Sequence, residues 1–251
     1  MSFNVAATDY DAFMGRYSVG LSAQLADLAG VQAGQRALDV GCGPGALTAE
    51  LVARLGASNV SAVDPSEPFV AAVRERLPGV DVREASAERL PFDDHAFDAA
   101  LAQLVVHFMS DPVAGLAEMA RVTRHDGVVA ACVWDHADQG PLSRFWRAAR
   151  ALDPHVHDES GLPGVREGHL LELFEAAGLR DVRHADLWVS VEHPTFEAWW
   201  EPFTKGVGPA GSYLASLPAD GQLALREAAR AMVASTPFVV TARAWAARGR
   251  A

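Results

Sequence analysis

Lysine is nearly absent from this sequence. Lys205 is the only one, and arginine supplies the rest of the 21 basic residues set against 32 acidic ones. The net charge of −11 leaves no electrostatic footprint for a phosphate backbone. Basic residues gather only near the end of the chain, at Arg243, Arg248 and Arg250, so no nucleic-acid partner is expected. Cysteine is almost as scarce. Cys42 and Cys132 are the only two, one in a glycine turn and one in an apolar segment, which offers neither a paired metal-binding motif nor a disulfide framework. Two buried, reduced thiols are expected. Long apolar runs are missing too: none reaches the roughly 18 residues that a membrane helix requires, and the first five residues carry neither a basic nor an apolar signal region. The expectation is a cytoplasmic protein without a membrane segment.

What is present is enough apolar material for one substantial core. Half of the 251 residues are hydrophobic, and chains of this size often fold as a single α/β domain. From residue 36 onward strand and helix patterns alternate: strand 36–40, helix 45–55, strand 59–63, helix 67–76, strands 80–84 and 97–104, helix 113–122, strand 127–134. Such alternation predicts a parallel sheet. Helical spacing of Tyr10, Phe13, Met14, Tyr17, Leu21, Leu25 and Leu28 predicts an N-terminal cap over 9–34. Later, a helix over 168–177, strands over 182–192 and 238–247, and a helical insertion between those strands depart from simple alternation. The expected division is one domain over 1–251, with a cofactor-binding core at 35–135 and cap insertions at 136–167 and 195–236.

The most specific signal is Leu38-Asp39-Val40-Gly41-Cys42-Gly43-Pro44-Gly45, placed between a strand and a helix. Three glycines at alternate positions let the backbone turn sharply and come close to a ligand at the amino end of a helix. A second apolar segment ends in Asp64, 19 residues beyond Gly45, where a strand-end carboxylate can take both hydroxyls of a ribose. The pattern Gly41-x-Gly43-x-x-Ala46 also fits a loose nicotinamide-dinucleotide fingerprint, so that reading stays open on the residues alone. Ligands in such sheets bind at the carboxyl ends of strands, and the glycine turn, Asp64, Ser86 and Gln103 all fall there.

The stretch from Leu38 to Gly45, followed by Val63-Asp64-Pro65-Ser66, resembles the class I S-adenosylmethionine (SAM) dependent methyltransferases, close to the type 11 or ubiquinone/menaquinone group. The resemblance implies an α/β, Rossmann-like fold. Its sheet has seven strands, mostly parallel with an antiparallel C-terminal hairpin strand, helices on both faces and helical caps over the cleft. It implies SAM as cofactor, S-adenosylhomocysteine as product, and methyl transfer to a small-molecule acceptor. Asp39 would order the methionine amino group, and Gly41, Cys42, Gly43 and Gly45 would form the pocket beside it. Asp64 would hold the ribose, with Pro65 and Ser66 bordering the adenine. Glu84-Ala85-Ser86-Ala87-Glu88-Arg89-Leu90-Pro91-Phe92 is similar to the family's G-D-A-E-x-L-P-F segment, with Ser86 in place of the aspartate that meets the adenine amino group and Ala87 beside it. Gln103 and Leu104 would line the methionine and its methyl. Tyr10-Asp11-Ala12-Phe13-Met14-Gly15-Arg16-Tyr17 resembles the Y-D-x-F-x-x-R-Y cover of related enzymes, in which Arg16 reaches the methionine carboxylate and Tyr10 helps to close the site. His107 coincides with a histidine common in the family. It is the candidate general base, packing beneath the cap being its alternative. His155-x-His157 has no third placed ligand, so no metal is expected. A SAM-binding protein without catalysis and a nicotinamide oxidoreductase are the competing readings.

Overall fold

The computed structural model describes residues 11–251. Its centre is one sheet of seven strands: β1 (Ala37–Val40), β2 (Val60–Asp64), β3 (Asp81–Glu84), β4 (Phe97–Gln103), β5 (Thr123–Trp134), β6 (Arg180–His193) and β7 (Phe238–Arg250). They lie in the order β3-β2-β1-β4-β5-β7-β6. The first five pair in parallel, and β7 runs antiparallel to both of its neighbours. Strand order reverses between β1 and β4, which opens a crevice at their carboxyl ends.

The central strands are apolar because helices cover both of their faces. Every residue of β1 and β2 is buried, as parallel strands with two covered faces require. Alternation along β1 sends Ala37 into a core shared with Leu21, Leu25, Leu47 and Leu51, and Leu38 into a second core with Leu116, Met119 and Phe174. The first face is closed by the helices Arg16–Ala29 and Ala46–Leu55, the second by Pro112–Val122 and His169–Ala176. The helix Pro112–Val122 starts where Asp111 accepts from the Ala114 amide at 3.0 Å and proline takes the first helical position.

Two cap regions pack together through aromatic rings. Phe145, in the helix Ser143–Leu152, stacks on Phe203 at 4.6 Å, and Phe13 meets Phe203 edge-on at 5.2 Å. Such pairs contribute roughly 0.5–1.5 kcal/mol beyond area burial. Trp199 and Trp200 belong to this buried cluster, whereas Trp188 on β6 is 42% exposed and packs beside Arg243.

Some boundaries differ from the sequence expectation. β5 begins at Thr123 and not at 127, and β7 continues to Arg250 and not only to 247. The cause is pairing with distant residues: Thr123 pairs with Phe97 of β4, and the Asp126 amide donates to Ala251 while the Ala251 amide donates to Gly127, so a segment that reads as a turn is held as strand. Cys42 and Cys132 are both buried and free. Among the described residues no helix is long and apolar enough to cross a membrane.

Candidate functional site

A cleft of about 490 Å³ opens at the carboxyl ends of β1, β2 and β4, large enough for a cofactor of nucleoside size. Its floor is the glycine turn. The amides of Gly41 and Cys42 both donate to the Val63 carbonyl at 2.8 and 2.9 Å, which fastens the turn to the end of β2. Gly41 has φ +72°, and a Cβ there would stand 2.4 Å from Cγ2 of Val105, so only glycine fits. At Gly43, φ +50°, the same construction meets nothing, and this glycine faces open space in the cleft wall.

Two carboxylates set the electrostatics. Asp64 is 6% exposed. One of its oxygens accepts from the Gly43 amide and the other from the Ser66 amide, each at 2.8 Å. Burial pushes its pKa up, and the two amide hydrogen bonds oppose that. Asp64 lines the cleft, and each ionised carboxylate oxygen has more than one acceptor site. Asp39 is fully buried at the end of β1. Its Oδ2 accepts from Thr48 Oγ1 at 2.6 Å, while its Oδ1 has no hydrogen-bond partner among the described residues. Burial raises its pKa to about 7, aided by the nearby Asp64 charge and opposed by Thr48. A cationic group arriving in the cleft would satisfy the orphaned oxygen and restore its charge.

The far wall comes from the end of β4. Gln103 donates to the Ser18 carbonyl at 3.1 Å, tying the helix Arg16–Ala29 to the sheet, and its Oε1 is a second orphaned acceptor among the described residues. Leu104 sits at φ +63° with its amide donating to the Cys132 carbonyl at 2.8 Å. A left-handed leucine costs roughly 1–2 kcal/mol, and it turns the chain so that Leu104, Val105, Phe108 and Met109 form an apolar side of the cleft.

Eleven of the residues singled out in the sequence line this one cleft: Asp39, Gly41, Cys42, Gly43, Asp64, Pro65, Ser66, Ser86, Ala87, Gln103 and Leu104. Three do not. Gly45, φ +99°, stands at the start of the helix Ala46–Leu55, where a Cβ would crowd Val73 at 3.1 Å. Arg16 points away from the cleft, with its guanidinium 3.3 Å from His193 Nδ1, because the helical turn that brings Gly15 and Ser18 to the cleft carries residue 16 to another side. His107 is 4% exposed and sits behind Leu104, facing His136. Tyr10 lies outside the described residues. Among the described residues of the N-terminal cap, Gly15 and Ser18 line the cleft, and no residue of 136–167 or 195–236 does.

Sequence reasoning missed Glu88. It lines the cleft, accepts the Ser110 amide at 2.8 Å and takes a hydrogen bond from the Ser86 side chain. The charge that Ser86 lacks therefore stands two residues on, polarising the serine hydroxyl. An acidic residue two positions after a serine was the available signal. No group of three or more potential metal ligands occurs among the described residues.

The family description "Methyltransferase domain" matches residues 38–131, which contain the whole glycine turn, β2 to β4 and all of β1 but its first residue. The chain is 33% identical over 187 residues to malonyl-[acyl-carrier protein] O-methyltransferase of Salmonella typhimurium, covering 74% of this chain and 71% of that one. It is 32% identical over 196 residues to demethylmenaquinone methyltransferase of Clavibacter sepedonicus, covering 74% and 79%. Among solved structures, geranyl diphosphate C-methyltransferase from Streptomyces coelicolor, determined with Mg2+, geranyl diphosphate and S-adenosyl-L-homocysteine, superimposes with a TM-score of 0.55 at 19% identity, covering 94% of this chain and 80% of that one. At that identity the likeness is one of fold.

Proposed function

Since the chain belongs to the SAM-dependent methyltransferases, we propose that it transfers the methyl group to a small-molecule acceptor by direct in-line displacement. SAM is the cofactor, and when bound it supplies a methyl group already made electrophilic by a positively charged sulfur. The chain's own residues then have to bind, orient and exclude water. Asp64 fits the ribose hydroxyls, Ser86 with Glu88 behind it fits the adenine amino group, and Asp39 Oδ1 and Gln103 Oε1 are acceptors for the methionine ammonium. Leu104, Phe108 and Met109 present an apolar wall to the reacting end.

The observation that carries this reading is the orphaned, fully buried oxygen of Asp39 beside the glycine turn. A cation completes it. The pyrophosphate of a nicotinamide dinucleotide would instead place negative charge against Asp39 and Asp64, which is repulsive in a low-dielectric cleft. A cytoplasmic setting agrees with two buried thiols left free.

Isothermal titration of the full chain with SAM, S-adenosylhomocysteine and NADH tests the reading. Saturable binding of both adenosyl ligands and none of NADH is expected. NADH binding without adenosyl binding would overturn it, and adenosyl binding without turnover on any small acceptor would assign the chain to a non-catalytic SAM-binding role.

A further inference from the structure

The space beside the cleft does not share its chemistry. A chamber of about 30 Å³ lies behind Leu104 and Phe108. There, both nitrogens of His136 and Nδ1 of His107 have no hydrogen-bond partner among the described residues, and Glu159 Oε1 stands 3.9 Å from His136 Nε2. One layer of side chains shuts this chamber off from the cleft, so what a ligand meets is decided by the cleft's own lining.

Strand ends meet that lining in spatial order. The sheet runs β3-β2-β1-β4, so Asp39 at the end of β1 and Gln103 at the end of β4 are neighbours. Asp64 at the end of β2 comes next, and Ser86 and Glu88, just beyond β3, lie farthest from β4. Neighbouring strands stand about 4.8 Å apart, so the step from β1 to β3 is roughly 10 Å, the reach of a nucleoside. A ligand whose ribose meets Asp64 and whose amino-acid arm runs toward Asp39 sends its base the other way, to the β3 end. No arginine, lysine or histidine lines the cleft among the described residues.

At that end Glu88 gathers up the hydrogen-bond donors. Its Oε1 accepts from the amides of Ser110 at 2.8 Å and Asp111 at 3.3 Å, and its carboxylate takes further bonds from the Ser86 side chain and from its own amide. Ser86 and Ser110 both line the cleft, and these are the groups that would otherwise donate to a carbonyl on a base. Burial works to raise the Glu88 pKa, but the bonds it accepts outweigh that and hold it below the usual carboxylate value. The group is therefore ionised near neutral pH and can only accept. With the hydroxyl proton turned to Glu88, Ser86 Oγ has only lone pairs left to offer. The two amides belong to the segment that leads into the helix Pro112–Val122, so backbone on both sides of the cleft fixes where this carboxylate stands.

We propose that Glu88 selects the cofactor's base by the group at purine position 6: by taking up the nearby donors it leaves Ser86 and itself as acceptors, which hold the amino group of an adenine and repel the carbonyl of a 6-oxopurine. This rests on the methyltransferase reading above, and it names the residue that decides which nucleobase the site takes. An aspartate at position 86 would be an acceptor by itself. A serine hydroxyl both donates and accepts, and it reads an amino group only because its proton is engaged elsewhere. A 6-oxo group brought to the same place sets its lone pairs against those of Ser86 and Glu88, and gives up a water that nothing there replaces.

The test is calorimetric titration of the full chain with three ligands: S-adenosylhomocysteine, S-inosylhomocysteine, which has oxygen in place of the amino group, and the purine analogue with hydrogen at that position. Wild type should bind them in the order amino, hydrogen, oxo, the amino form about tenfold or more tighter than the oxo form. Glu88→Gln keeps an oxygen for the Ser110 and Asp111 amides but sets an NH2 group toward Ser86, which frees the hydroxyl proton for the cleft. Its affinities for the amino and oxo forms should come within about threefold of each other. Ser86→Ala leaves the two amide bonds to Glu88 in place and should narrow the same ratio, which keeps the test open if the glutamine variant does not fold. An oxo form that wild type binds as tightly as the amino form, or more tightly than the hydrogen form, overturns the proposal, as does either variant with the wild-type ratio. Failure of S-adenosylhomocysteine itself to bind strikes the methyltransferase reading first and removes this one with it.

Discussion

Replacing Asp64 by alanine should separate cofactor binding from folding. In the unliganded protein each carboxylate oxygen accepts one amide at 2.8 Å, from Gly43 and Ser66. Hydrogen bonds to a charged group contribute about 1.5–3 kcal/mol each, but both donors sit at the edge of an open cleft, where water replaces the lost acceptor. Removal also relieves the burial that already raises the Asp64 pKa. The expected loss of stability is therefore small, about 1–2 kcal/mol. Binding is different. In the proposed complex Asp64 accepts from two ribose hydroxyls, and losing both charge-assisted bonds is about 3–6 kcal/mol, which raises Kd by about 10²–10⁴-fold. Asp64→Asn keeps one acceptor but sets an NH2 group against a backbone N–H, so it should also bind weakly. Titration calorimetry with SAM and S-adenosylhomocysteine, with thermal melting as the check on folding, measures both quantities. A Kd for Asp64→Ala within about threefold of wild type, in a protein that melts normally, would refute the assignment.

Asp39 makes two linked predictions. Its folded pKa of about 7 lies above its ordinary value of 3.8, so the native chain holds a proton that the unfolded chain has released between about pH 4 and pH 7. Stability is then full below that window and falls as pH rises through it, and urea melts of Asp39→Asn should show a flatter profile, the remaining slope coming in part from Glu159, which is shifted in the same direction. A cationic ligand at Oδ1 lowers the Asp39 pKa, so SAM binding near pH 6.5 should release a proton. The calorimetric enthalpy should vary with buffer ionisation heat in wild type and not in Asp39→Asn; equal buffer dependence would remove the ammonium from that oxygen. Gly41→Ala places a Cβ 2.4 Å from Val105 at φ +72°. It should cost about 2–4 kcal/mol from strain and overpacking together, and adding Val105→Ala should recover only the steric share, read as a nonzero coupling in a double-mutant melting cycle.

The order of strands and helices, the glycine turn and the acid that ends β2 were legible in the sequence because they are local. A positive φ at Gly41, Gly43 and Gly45 favours glycine, and the apolar runs of β1, β2 and β4 report two covered faces directly. Once those strands pair, the positions at their carboxyl ends must converge, so eleven of the anticipated residues share one cleft. Chain direction at the ends was less legible, since Thr123–Asp126 join the strand through pairing of Thr123 with Phe97 and of Asp126 with Ala251, both distant in sequence. Side-chain direction was not legible at all. A motif places Arg16 on the cover, but the helix phase decides that its guanidinium meets His193 and leaves Ser18 at the cleft. Likewise His107 is singled out by sequence, yet its partners His136 and Glu159 come from segments 29 and 52 residues later and meet it only because the caps pack back against the sheet. The sequence by itself determined a cofactor site, whose conformations are dictated within a few residues. Only the tertiary structure decided where burial strands three imidazole nitrogens beside an acid, because desolvation is set by neighbours distant along the chain.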